Sequence, residues 1–206
     1  MGPVATAPGS DTMSDLVAIG LRAKTGRAIV VVLGGAPESP IVLVKTEITL
    51  IDPQLPATAQ PYHRVMDLPW PQWQEAAGNS ARAIERVATN ALAKLISEQA
   101  GHTRRVAGAG IVGAPDRDLA RIGNPHIRAH AAEGLLFRRV LEAGAESNRL
   151  KWQSFPDREF DKSISAQRTD HLKIKQRLEN LRRSVSAPWR TDEKQAAMAA
   201  WIVLHG

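Results

Sequence analysis

Residues 16–21 and 28–33 form two nearly continuous apolar runs on either side of Lys24-Thr25-Gly26. Runs of this length about a glycine-containing turn predict a β-hairpin. After "APESP", residues 41–51 form a third run whose later half alternates. Thr46, Ile48 and Leu50 point one way, Glu47 and Thr49 the other, which is strand periodicity. The short connections predict an antiparallel meander of three strands. Residues 79–98 follow the helical rhythm instead: Ile84, Val87, Ala88, Ala91, Leu92, Leu95 and Ile96 share a face, Arg82, Arg86 and Lys94 lie off it, and Gly101 ends the helix.

"RRVAGAGIVGAP", residues 104–115, is a short apolar run of the kind found in strands covered on both faces. Gly108 and Gly110 within it call for a close neighbour. Asn124 and Pro125 are suited to the N-cap and first position of a helix reaching about Ala145. Residues 149–156 predict a fifth strand, and residues 165–185 a basic helix with Ile174, Leu178, Leu181 and Val185 as its apolar stripe. Thr191 then caps an alanine-rich helix. The order β-β-β-α-β-α-β-α-α predicts an α/β fold: a mixed sheet of three antiparallel strands then two parallel strands, with helices on both faces.

Between the third strand and the first helix lies "DPQLPATAQPYHRVMDLPWPQW", with five prolines. It is expected to be extended and irregular, and its length marks it as a functional candidate. The 206 residues suit one domain over 15–206, and the Pro/Gly-rich start suggests a disordered tail over 1–14. The absence of cysteine excludes disulfides and thiolate metal sites, so a metal, Mg or Zn, would need His, Asp or Glu ligands. A formal net charge of +6 favours a polyanionic partner. No apolar run approaches the ~20 residues of a membrane span, and the expected location is cytoplasmic.

"GNPHIRAHAAEG" carries the densest candidate chemistry. His126, His130 and Glu133 fall at i, i+4 and i+7 on one helix face. They read as a metal-ligand comb that needs a further ligand from His63, Asp192 or Glu193. The same stretch also reads as an anion site, with the amides of Asn124, His126 and Ile127 flanked by Arg121 and Arg128. In the plainest reading Asn-Pro merely starts a helix, the histidines pack at an interface and Glu133 pairs with Arg or Lys. Tyr62 and His63 are the hydrogen-bonding residues of the Pro-rich loop. Arg168, Lys173, Lys175, Arg177, Arg182 and Arg183, against Asp170 and Glu179, make either a solvated face or a phosphate-contacting surface. Asp192 and Glu193 sit where acids stabilise a helix start.

The element order, with "AIGLRAKTGRAIVVV" as first hairpin, "RRVAGAGIVGAP" before "GNPHIRAHAAEGLLFRRVLEAG", and "FPDREFDK" leading to "DEKQAAMAAWIVLH", resembles the ribonuclease H-like superfamily. It is most similar to RuvC-type Holliday junction resolvases, over roughly residues 15–205. The resemblance implies a nucleic-acid partner (DNA or RNA), a possible homodimer, and two magnesium ions held by four carboxylates. At the corresponding positions this chain carries Arg22 and Lys24 on the first strand, Gly108 to Gly110 on the fourth, and Asp192, Glu193 and Gln195 on the last helix. Together, the resemblance and these departures imply a nucleic-acid-binding protein with a degenerate or rebuilt nuclease centre, in which Arg22 and Lys24 hold phosphate. The alternatives are a phosphoester hydrolase using His126, His130, Glu133 and Asp192, and a non-catalytic interaction or scaffold protein.

Overall fold

The computed structural model describes residues 15–167 and 170–206. The expected tail over 1–14 and Arg168 lie outside the described residues. Strands β1 (Leu16–Lys24) and β2 (Arg27–Ala36) flank the two-residue turn Thr25-Gly26, where Gly26 has a φ of 76°, a conformation that glycine enters without a Cβ clash. Strand β3 (Ser39–Thr49) completes the antiparallel meander. Strands β4 (Arg105–Gly113) and β5 (Trp152–Pro156) are added in parallel on the other side of β1, giving the order β3-β2-β1-β4-β5. The result is a mixed sheet of three antiparallel and two parallel strands, with β1 at its centre.

Helices α1 (Trp73–Ala76), α2 (Gly78–Gly101) and α3 (Pro125–Ser147) precede β5, and α4 (Phe160–Gln167), α5 (His171–Asn180) and α6 (Thr191–His205) follow it. Strand alternation divides β1 between two cores. Val17, Ile19 and Leu21 pack with Ile84, Ala88 and Leu92 of α2 and Phe137 and Leu141 of α3. Ala18 faces the opposite side, where Ala196, Ala199 and Trp201 of α6 join Phe155, Ile174 and Leu178. Thus α2 and α3 cover one face, and α5 and α6 the other.

Glycines set how closely α6 lies on the sheet. A Cβ on Gly20 would fall within contact distance of the Ala196 carbonyl, and one on Gly110 would meet Ala199. The close neighbour expected for Gly110 is therefore the alanine face of α6. Gly108 instead meets the Lys151 carbonyl and Val203.

Two expectations are corrected. The Pro-rich loop is not extended: it folds into three single-turn 3-10 segments, Pro56–Ala59, His63–Val65 and Trp70–Gln72. The buried Thr58 hydroxyl donates to Leu55 O at 2.7 Å and accepts from Asp52 N at 3.0 Å, closing the first turn. Proline's fixed φ suits the start of such turns. The basic helix is not continuous either. Among the described residues α4 reaches Gln167, Asp170 is the N-cap of α5, and α5 passes into a 3-10 turn over Leu181–Arg183.

Candidate functional site

Helix α3 starts as the sequence indicates. The Asn124 side chain accepts from Ile127 N at 3.0 Å, and Pro125 occupies the first turn. One turn apart, His126 and His130 bring their Nε2 atoms within 3.1 Å. His63, carried by the second 3-10 turn of the loop, completes a trio. Its ring centroid lies 4.9 Å from that of His126 and 4.4 Å from that of His130, with the rings edge-on. One ring nitrogen from each of the three falls within 4.8 Å of the others.

Glu133 is fully buried and is not a fourth arm of this trio. Its Oε1 accepts from both the His63 backbone N at 3.2 Å and His63 Nδ1 at 2.8 Å. A carboxylate oxygen accepts, so Nδ1 is the donor, and in the neutral ring Nε2 keeps the lone pair. His63 Nε2 and Glu133 Oε2 are both buried with no hydrogen-bond partner. The spacing of His126 and His130 was legible in sequence. The partner of Glu133 was not, because His63 is seventy residues away in the chain and no local pattern ties the two.

The loop that delivers His63 is fastened by aromatic packing. Trp73 is fully buried and donates Nε1–H to Leu68 O at 2.9 Å, and Trp70 meets it edge-on at 5.1 Å. The Arg128 guanidinium stacks 5.1 Å from the Trp70 ring centroid and donates to the Leu119 carbonyl at 3.0 Å. Arg121 pairs with Asp118 at 3.4 Å on the exposed surface. Both cations expected to flank an anion at the helix start are therefore engaged with protein groups.

Tyr62 stacks on Trp73, and burial raises its phenol pKa; the charge of Arg139 opposes the shift and that of Glu133 adds to it. The raised value makes the neutral phenol part of folded stability. That contribution is complete below the ordinary phenol value of about 10 and is lost as pH rises through the folded value. Tyr62 is the only tyrosine, so phenolate absorbance on alkaline titration reads it alone. The expected midpoint lies above about 10 in the folded chain and returns toward it in denaturant. A midpoint unchanged by unfolding contradicts this burial.

At the C-terminal end of β1, on the α6 face, Arg22 and Lys24 meet two acids. Arg22 lies 3.1 Å from Asp157 and 3.3 Å from Asp192, and Lys24 lies 3.1 Å from Asp192. The Arg22 side chain is only 11% exposed. Its Nε contact with Asp192 is a charge contact rather than an aligned hydrogen bond, since Nε is left without a hydrogen-bond partner. Asp157 is the first residue after β5, and sequence reasoning passed over it. Its one sequence signal is its place directly after a strand end. Glu193 is buried, and its Oε2 accepts from Arg190 N at 2.8 Å, closing the start of α6.

The five acid–base candidates are thus divided by the sheet. His126, His130 and Glu133 belong to α3 on one face, and Asp192 and Glu193 to α6 on the other.

The basic face also separates residue by residue. Lys175 pairs with Asp161 at 2.6 Å, and Arg177 donates to Pro37 O at 3.3 Å. Lys173, Arg182, Arg183 and Arg190 are exposed and have no ion-pair partner among the described residues. Arg182 and Arg190 line an open cleft of about 590 Å³ with Val185, Pro188 and Trp189. A second cleft, about 720 Å³, lies at the ends of β4 and β5. On its wall a hydrogen bond from Arg138 lowers the pKa of Asp116, with Arg139 adding to the effect.

Two solved structures of Thermus thermophilus RuvC are similar to this chain. One, in complex with a Holliday junction substrate, has a TM-score of 0.47 at 12% identity, covering 92% of this chain and 92% of that one. The other has a TM-score of 0.45 at 12% identity with the same coverage of both chains. No family model and no curated protein matches the chain. Among the described residues, no helix is long and apolar enough to cross a membrane.

Proposed function

We propose that this chain binds nucleic acid through its α5–α6 face, on a ribonuclease H-like scaffold whose nuclease position is rebuilt around ion pairs. The observation that carries the reading is the pair of arginines, Arg182 and Arg190, that line one open cleft without an ion-pair partner among the described residues, with Arg183 and Lys173 exposed on the same segment. Guanidinium groups free of carboxylates are available to phosphate oxygens. The net charge of +6 acts in the same direction. The rebuilt centre is supported by Arg22 and Lys24, which place two cations against Asp157 and Asp192 where a pair of magnesium ions would need several free carboxylates.

The test is fluorescence anisotropy with labelled duplex DNA and with RNA over a salt series. Each neutralised phosphate contributes a slope of about −0.9 on B-DNA. An Arg182→Glu/Arg183→Glu variant is expected to weaken binding at least ~10-fold and to flatten the slope by roughly two. Neither residue is buried, so its unfolding temperature should match that of the parent. Equal binding by parent and variant, or a slope near zero, rules the reading out. Stable self-association without nucleic-acid binding would favour the scaffold alternative, and light scattering of the purified chain reads the expected homodimer at the same time.

Phosphoester hydrolysis is the second reading, favoured by the three converging histidines. Asp192 and Glu193 take no part in it, because they lie across the sheet. Its test is turnover of bis(p-nitrophenyl) phosphate that disappears in His130→Ala.

A further inference from the structure

We propose that His63, His126 and His130 form a three-nitrogen site for a divalent transition-metal ion, with zinc the best fit, and with Glu133 as the carboxylate that positions His63. The site is distinct from the nucleic-acid surface, since it stands at the start of α3 rather than on the α5–α6 face.

Three observations converge on it. The first is spacing. Two imidazole nitrogens sharing one tetrahedral zinc at ~2.0–2.1 Å lie about 3.3–3.4 Å apart. His126 Nε2 and His130 Nε2 stand 3.1 Å apart, and the whole trio lies within 4.8 Å. His126 and His130 are exposed, so their rings can turn to close the remaining gap.

The second is His63 Nε2, which is buried and has no hydrogen-bond partner. A buried ring nitrogen without a donor is costly unless something occupies its lone pair. The other two histidines can satisfy one another through a single N–H···N bond, but that arrangement leaves His63 Nε2 with nothing.

The third is Glu133. A fully buried carboxylate spends one oxygen entirely on His63, through its ring and its backbone. A carboxylate behind a ligating histidine fixes the tautomer, aims the ring and raises its basicity. As the partner of a histidine that is merely packed, a buried acid would be costly.

Nitrogen donors select zinc and neighbouring transition ions over magnesium and calcium, which require oxygen. Three protein ligands with two of them exposed leave the fourth position to solvent, as in zinc sites that hold a water or an anionic oxygen. The ion would also tie the 3-10 turn carrying His63 to α3.

The experiment uses the untagged full chain, stripped with chelator, reloaded with zinc chloride and passed through a desalting column. Zinc is counted by elemental analysis, and cobalt(II) replaces it for absorption spectroscopy. The expected result is one zinc per chain and a cobalt spectrum of tetrahedral type. His126→Ala and His130→Ala should each lower affinity at least ~100-fold while the metal-free unfolding temperature stays at the parent's value. Glu133→Gln keeps an acceptor for Nδ1–H and loses the charge, so it should cost about 10–100-fold. Because Glu133 is buried, its metal-free form is checked by circular dichroism before comparison. A parent chain that retains no zinc overturns the proposal. So does zinc retained equally by His126→Ala/His130→Ala, which would place the ion elsewhere.

Discussion

Gly20→Ala is expected to lower the unfolding temperature by ~6–12 °C or to prevent folding, the larger outcome if α6 cannot move. The added methyl would collide with the Ala196 carbonyl, which is helix backbone rather than the end of a flexible side chain. Forcing atoms into a packed core typically costs about 1–3 kcal/mol and more when backbone must shift, and each kcal/mol moves the unfolding temperature of a chain this size by about 2–4 °C. Relief by sliding α6 would disturb the whole second core, because Ala199 meets Gly110 on the neighbouring strand in the same way. It would also pull Asp192 away from Arg22 and Lys24. Gly123→Ala is the control: nothing lies within 4 Å of its added methyl. A Gly20→Ala chain as stable as that control would show that the close contact of α6 with β1 is not as described.

Arg22→Ala comes next in size, with an expected loss of about 3 kcal/mol. The side chain is 11% exposed and lies between Asp157 and Asp192. Removing it leaves two acids with only Lys24 to answer them, and an unpaired, partly buried carboxylate costs far more than an exposed one. The cost should fall toward the lower part of the range for buried pairs, since Asp192 is 34% exposed and retains water. A double-mutant cycle with Asp157→Ala separates the pair from its surroundings: the double variant should lose clearly less than the sum of the single losses. The same variant tests the functional alternative. If Arg22 holds phosphate, as the sequence suggested, its removal weakens nucleic-acid binding and hardly changes unfolding. If it holds the acids together, the reverse is found.

Much of this protein was legible in its sequence because the signals are local. The hairpin about Thr25-Gly26, the alternating third strand, the amphipathic α2 and the Asn-Pro start of α3 each depend on neighbours a few residues apart. Period and turn chemistry specify them without reference to the rest of the chain. The order of elements then restricted the sheet to few topologies, since connection lengths decide which neighbours are antiparallel and which need a crossover. The basic helix differs from the expectation because its apolar stripe, Ile174, Leu178, Leu181 and Val185, begins only within α5 and runs on past its end into the 3-10 turn. The Pro-rich loop departs from an extended path because proline disfavours long helices without forbidding single 3-10 turns.

The α/β class, the mixed sheet and the presence of two histidines and a glutamate on one helix face were all present in the order of residues. What those residues meet was settled only by the folded chain. Glu133 could have been a ligand or a surface acid until His63 was brought to it from the loop. Arg22 and Lys24 could have been open to phosphate until Asp157 and Asp192 arrived from the end of β5 and from α6. In each case the deciding partner is distant in sequence, and its position is fixed by the burial of apolar faces on the two sides of the sheet. Hydrophobic pattern reveals that burial as a face, but the charged and ligating atoms it brings together depend on register and helix placement that no single segment encodes.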